Sequence, residues 1–249
     1  MNFYRYYEKI VNSQVHTLIA GCTGSGKSVF LNNVLCYILS QDNTGLILID
    51  PKKVELVQYK NTTHTIMYSD NPSAIEYALN YAISVMNKRY DIMQSRGIRK
   101  YTEEPIYIII DELAAFSTIE ALRPCNDLLA QLATLARAAN IFLIACTQRP
   151  TNDVITPLYK VNCDCKVALR TANEQESRNI IGISDARRLP KHGKCIMSHP
   201  DFLDPVILPV DFHTDEEIER YIAPIKRTIP TAPKQNKPKS IFRTFLELS

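Results

Sequence analysis

The octapeptide Gly21-Cys22-Thr23-Gly24-Ser25-Gly26-Lys27-Ser28 restricts this chain more than any other stretch. It follows an apolar run, HTLIA, and opens a segment, SVFLNNVL, whose apolar residues return every three or four positions. Three of the seven glycines in the chain stand within it. Glycine lets the backbone bend so that successive N–H groups turn inward around an anion, and a helix starting directly afterwards adds its positive end. The pattern G-x-x-x-x-G-K-[ST], set between a strand and a helix, therefore predicts a phosphate cradle running from Gly21 through Val29. Lys27 is placed to reach β- and γ-phosphates and Ser28 to offer its hydroxyl to Mg²⁺, so ATP and Mg²⁺ are the expected cofactors.

Such a cradle needs a carboxylate on the metal side, and IYIIIDEL supplies one. Asp111 ends a wholly apolar strand, where an acid is costly unless a cation meets it. Facing Mg²⁺ resolves that cost. Glu112 then stands where it can orient and deprotonate a water in line with the γ-phosphate. The acidic pair favours an NTP hydrolase over a small-molecule kinase.

Short apolar runs at 16–20, 46–50, 106–111, 141–147 and 165–169 read as strands buried on both faces, as parallel strands are. Helical patterns lie between them. One carries Leu31, Val34, Leu35, Ile38 and Leu39, with Gly45 beyond its end. Another opens at Asn71-Pro72 and carries Ile75, Leu79, Ile83 and Met86. A third carries Leu128, Leu129, Leu132 and Leu135. Thr171/Glu174 and Thr214/Glu217 read as capping boxes that start two more. Strands alternating with helices predict an α/β sheet. One body spans 15–223, after an N-terminal extension at 1–14 and before a tail at 224–249 that is rich in Pro and Lys. Residues 224–240 hold four prolines, five Lys or Arg and no acid, and IFRTFLEL beyond them is a short amphipathic end.

Composition excludes several classes. Hydrophobic residues at 45% and charged residues at 22% leave out disordered and collagen-like chains. A net charge of +3 does not by itself imply a nucleic-acid partner. Seven cysteines form no paired framework and MNFYRYYEKI is no signal sequence, which together predict reduced thiols and a cytoplasmic location. No apolar run approaches a membrane span. Cys163 and Cys165, read as neighbours on one side of a strand, lack a second pair or a histidine at ligand spacing. Tyr4, Tyr6 and Tyr7 are expected to pack on the body or on a neighbouring subunit.

Further motifs carry a family resemblance: DPKKVEL at 50–56, MNKRYDIM at 86–93, LARAANIFLIACTQRPTNDVI at 135–155, ESRNIIG at 176–182 and TDEEIERYI at 214–222. In order and spacing the region 15–222 resembles the motor domain of FtsK/SpoIIIE-type DNA translocases. The resemblance implies a RecA-like P-loop NTPase with a mainly parallel sheet, its five strands in the order 5-1-4-3-2. It also implies a homo-hexameric ring that moves double-stranded DNA by ATP hydrolysis. Carried over residue by residue, Lys27, Ser28, Asp111 and Glu112 fall on nucleotide and catalytic positions, and Gln148 on the residue that senses the γ-phosphate. Arg89, in KRY, falls on an arginine finger directed into the neighbouring subunit's site, with Arg137 and Arg149 as substitutes. Arg123 and Lys160 are candidates for DNA phosphates. Family members usually have glycine where Asn140 and Pro157 stand, so local turns are expected to differ. They also carry further regions, so the chain is expected to be either a stripped-down form or a piece of a longer protein, with a membrane or relaxosome component as a further partner. Two other readings stand beside the DNA motor: a similar ATPase that drives protein secretion, and a nucleotide-gated assembly module.

Overall fold

A computed structural model describes residues 6–227. Helix α1 (Tyr7–Asn12) precedes strand β1 (Thr17–Ala20), and the glycine loop leads into α2 (Lys27–Leu39). Then come β2 (Gly45–Ile49), β3 (Thr65–Ser69), α3 (Pro72–Arg96), β4 (Ile106–Ile110), α4 (Ala115–Thr118) and α5 (Cys125–Leu135). The remainder comprises β5 (Ile141–Thr147), α6 (Pro157–Asn162), β6 (Cys165–Ala168), α7 (Glu174–Ile181), β7 (Lys194–Ser198), β8 (Val206–Pro209) and α8 (Asp215–Ile222).

The strands form one sheet in the order β3-β2-β4-β5-β1-β6-β7-β8. The first six run parallel, while β7 and β8 add antiparallel to the β6 edge. The five strands read from the sequence take the order β6-β1-β5-β4-β2, which is the expected 5-1-4-3-2. Three strands escaped that reading. β3 (TIMYS) is an edge strand with a half-exposed middle, β7 (KCIMS) holds only three apolar residues between polar ends, and β8 (VILP) is the largely exposed far edge ending in proline.

Alternate residues of each central strand feed two cores. Leu18, Ile47, Ile49, Ile108, Ile110 and Leu143 pack under α3, α5 and α7. Ile19, Leu46, Leu48, Ile109, Ile144 and Val167 pack under α1, α2 and α8. Most residues of α2 are buried, because the sheet covers one side and α1 and α8 cover others. Each fully buried Leu or Ile there contributes about 1.5–3 kcal/mol, so the phosphate loop enters a firmly seated helix. Tyr7 explains the place of α1: its ring meets Phe30 edge-on at 5.4 Å, and its hydroxyl accepts from Asn33 Nδ2 at 2.8 Å. Tyr4, and the tail beyond residue 227, lie outside the described residues.

Local signals mostly act as read. Asn71 caps α3 by accepting from Ala74 N, with Pro72 in the first turn, and Thr214 with Glu217 closes a capping box on α8. The box expected at Thr171/Glu174 does not form. Asn173 caps α7 instead, accepting from Glu176 N at 2.8 Å, while the Thr171 hydroxyl donates to Asn173 O. Asn140 adopts φ +58°, the left-handed conformation for which glycine is the usual residue, and Pro157 starts α6 behind Thr156. Cys163 ends α6 and packs in the core of one sheet face, whereas Cys165 in β6 packs in the other. The two thiols therefore do not share a side.

Candidate nucleotide-binding site

Parallel strands end at a common edge, and the loops that follow them meet there. Gly21 N donates to Thr147 O at the end of β5 (3.3 Å), and Cys22 N donates to Arg170 O beyond β6 (2.9 Å). These bonds root the loop between two strands. A Cβ on Gly21 would stand 2.6 Å from Ser25 Oγ and 2.9 Å from Leu169 Cβ, so no larger residue fits without displacement. Gly24 and Gly26 hold φ of +73° and +94°. No side chain caps α2, which leaves the first-turn N–H groups to the loop's concave side.

Lys27, only 5% exposed, donates from Nζ to both Asp111 O and Asp111 Oδ1 at 3.2 Å. Burial works to lower its affinity for a proton, but Cys146, Asp111 and Glu112 outweigh that, so the ammonium titrates above its ordinary range. Burial pushes the Asp111 carboxyl up, against the pull of Lys27. Asp111 Oδ2 is buried and has no hydrogen-bond partner among the described residues. An oxygen so enclosed fits a cation, and with Ser28 at the head of α2 the donor set suits Mg²⁺.

Glu112 is held from several sides. Its Oε1 accepts from Thr147 Oγ1 (2.9 Å), Ala114 N (3.3 Å) and Gln148 N (3.3 Å), and its Oε2 from Lys52 Nζ (2.9 Å). Burial would raise this carboxyl, yet Lys52, Thr147 and Gln148 together hold it below the usual range. Gln148 also reaches the phosphate loop, its Oε1 accepting from Thr23 Oγ1 at 3.0 Å. The sequence thus brings Lys27, Asp111, Glu112 and Gln148 to one edge, as expected.

Beside them opens a cavity of about 620 Å³. The loop residues from Cys22 to Val29 form one wall. The other is made by His192 and Gly193 before β7, and by Val210 and Phe212 after β8. Sequence reasoning missed this second wall, which has no motif of its own. It also missed Lys52, although DPK directly after a buried strand was visible.

Arg89 departs from its expected role. Its guanidinium does not project. It is 6% exposed and donates to Ala139 O (2.8 Å), Asn140 O (3.1 Å) and Glu104 O (2.7 Å), while lying 4.5 Å from the Tyr101 ring centre. Those carbonyls precede β4 and β5, at the end of the sheet opposite the phosphate loop. Three carbonyls converge there, that of Asn140 also accepting from Ile106 N at 3.0 Å, and one planar cation donates to all of them. Arg137 is paired with Asp164, whereas Arg149 stays exposed and only 3.9 Å from Asp153. Arg123 is exposed after β4, and Lys160 on α6 donates to Asn152 Oδ1.

A strand, a glycine loop and a helix N-terminus facing two strand-end acids across a parallel sheet define the P-loop NTPase class. Residues 5–105 match the family model described as FtsK/SpoIIIE family, so the chain carries a domain of that family. The DNA translocase FtsK of Clostridium acetobutylicum is 34% identical over 229 residues, which is 85% of this chain and 30% of that protein. The DNA translocase SftA of Bacillus subtilis is 34% identical over 233 residues, 86% of this chain and 24% of that one. The chain thus spans about a quarter to a third of these relatives. Among solved structures, the pCW3 conjugation coupling protein TcpA, in its monomer form with ATPgS, superposes with a TM-score of 0.75 at 24% identity. That match covers 86% of this chain and 65% of TcpA. The cytoplasmic domain of the type VII secretion ATPase EccC of Thermomonospora curvata gives 0.71 at 18% identity, over 85% and 28%.

Proposed function

We propose that the chain binds ATP with Mg²⁺ at the phosphate loop and hydrolyses it to move double-stranded DNA, as one subunit of a homo-hexameric ring in the cytoplasm. The observation that carries this reading is the convergence of Lys27, Asp111 and Glu112, from loops after β1 and β4, beside the cavity. The backbone amides from Gly21 to Val29 would cradle the phosphates, and Lys27 would exchange Asp111 for phosphate oxygens. Ser28 and Asp111 would hold Mg²⁺, which supplies charge neutralisation on the phosphates when bound. Glu112 orients the attacking water and takes its proton, and Gln148 spans from the loop to Glu112 so that it registers a γ-phosphate.

The DNA reading rests on the translocase relatives, with the exposed Arg123 between β4 and α5 and Lys160 on α6 as the candidate phosphate contacts. No helix among the described residues is long and apolar enough to cross a membrane; a membrane or relaxosome component is a further partner in this reading. The deciding experiment is ATP hydrolysis at low salt with and without linear duplex DNA. Strong stimulation is expected. An unchanged rate overturns the DNA assignment and favours a secretion substrate.

A further inference from the structure

The contacts of Glu112 allow a statement about how hydrolysis is restrained; it rests on the reading of Glu112 as the water-directing acid. A carboxylate that orients a water must offer that water a lone pair. Oε1 is crowded by one hydroxyl and two backbone amides, whose positions are fixed by β5 and by the turn after β4. Oε2 has one partner in the structure, the Lys52 ammonium at 2.9 Å. That side chain is 45% exposed, against 7% for Glu112, so water can replace the carboxylate around it at little cost. Of the four donors, Lys52 alone can leave without breaking the sheet edge.

The turn that presents Lys52 is itself anchored. Asp50, fully buried at the end of β2, accepts from Leu56 N (3.0 Å) and Tyr68 OH (3.3 Å), and its carbonyl accepts from Lys53 N (3.0 Å). β2 and β4 are neighbours in the sheet, so the ammonium is carried to Glu112 from the adjacent strand end. Val54 in this turn is 65% exposed and lines a cavity shared with Ser28, Val29 and Phe212.

We propose that Lys52 is a positioning residue that holds Glu112 in a restrained state, and that efficient hydrolysis requires the Lys52–Glu112 contact to open. Displacement of the turn after β2 by a bound partner then becomes a means of raising the rate.

The test is steady-state ATP hydrolysis without DNA. Lys52→Met should raise kcat several-fold and leave KM unchanged, because the phosphate loop is untouched. Lys52→Arg, which keeps a cation over Oε2, should restore the low rate. In a Glu112→Gln background, Lys52→Met should change nothing, whereas a merely structural role would lower thermal stability and activity alike. If Lys52→Met hydrolyses ATP at or below the wild-type rate while Glu112→Gln is inactive, the restraint is overturned and the role of Glu112 stands. If Glu112→Gln hydrolyses at the wild-type rate, both fall.

Discussion

Lys27 and Asp111 form a buried pair, so in the proposed reading nucleotide binding is an exchange of partners rather than the filling of an open charge. Removing one partner of a buried pair leaves the other exposed to the full cost of its burial. Lys27→Ala should therefore abolish turnover and weaken ATP binding about tenfold or more, the equivalent of one charge-assisted hydrogen bond; calorimetric titration with ATP checks it, and wild-type affinity would remove Lys27 from the site. Glu112→Gln keeps the shape and three of the contacts but loses the base. It should bind ATP normally and slow hydrolysis on the order of a hundredfold or more, as measured by single-turnover kinetics. Loss of affinity with normal turnover would mean that the roles of Asp111 and Glu112 are exchanged.

Arg89 belongs to the scale of elements, because it fastens α3 to the segments entering β4 and β5. Burial lowers its proton affinity, yet the guanidinium remains the donor for three carbonyls. Arg89→Ala should cost roughly 2–3 kcal/mol in urea unfolding, since it removes three hydrogen bonds and leaves the carbonyl of buried Ala139 without that donor, with Arg89→Lys intermediate. Unchanged stability would return the residue to the surface role read from the sequence. That reading failed because helical spacing locates the base of a long side chain, not its tip: three positions after Met86, the stem starts at the stripe's edge and the head turns inward. Spacing succeeded where identity and position suffice. The five strands read from the sequence are largely apolar runs, and the phosphate loop is specified by its own eight residues. The β7–β8 hairpin and the Lys52 contact depend on which segments meet in space, whereas the Asn173 cap is a local choice between two neighbouring x-x-Glu signals.

For the molecule as a whole, His16 makes stability depend on pH. Just ahead of β1, it is 1% exposed and its Nδ1 accepts from Leu143 N of β5 at 2.9 Å. Burial, with Arg137 nearby, lowers the imidazole from its ordinary 6.5 to about 4. Between those values the unfolded chain takes up a proton that the folded chain refuses, so stability is lost as pH falls from 6.5 towards 4, by up to about 3 kcal/mol. Urea unfolding at pH 7 and pH 4.5 should show this loss, and His16→Gln should show less of it. An equal loss in both proteins would assign the acid sensitivity elsewhere.

The position of β1 has a consequence for synthesis. Thr17 pairs with Ile144 on one side and with Cys165 on the other, so the strand that launches the phosphate loop waits for two neighbours made long after it. The far wall of the cavity, from His192 to Phe212, is made later still. On the ribosome, an N-terminal stretch containing the whole octapeptide has an apolar strand and helix without shelter and no cavity to receive a nucleotide. Loop closure over such separations is slow, and ligand stabilises only the state that binds it. A nucleotide can thus steady this fold only once Phe212 has been made, and until then the segment depends on whatever keeps emerging apolar stretches apart.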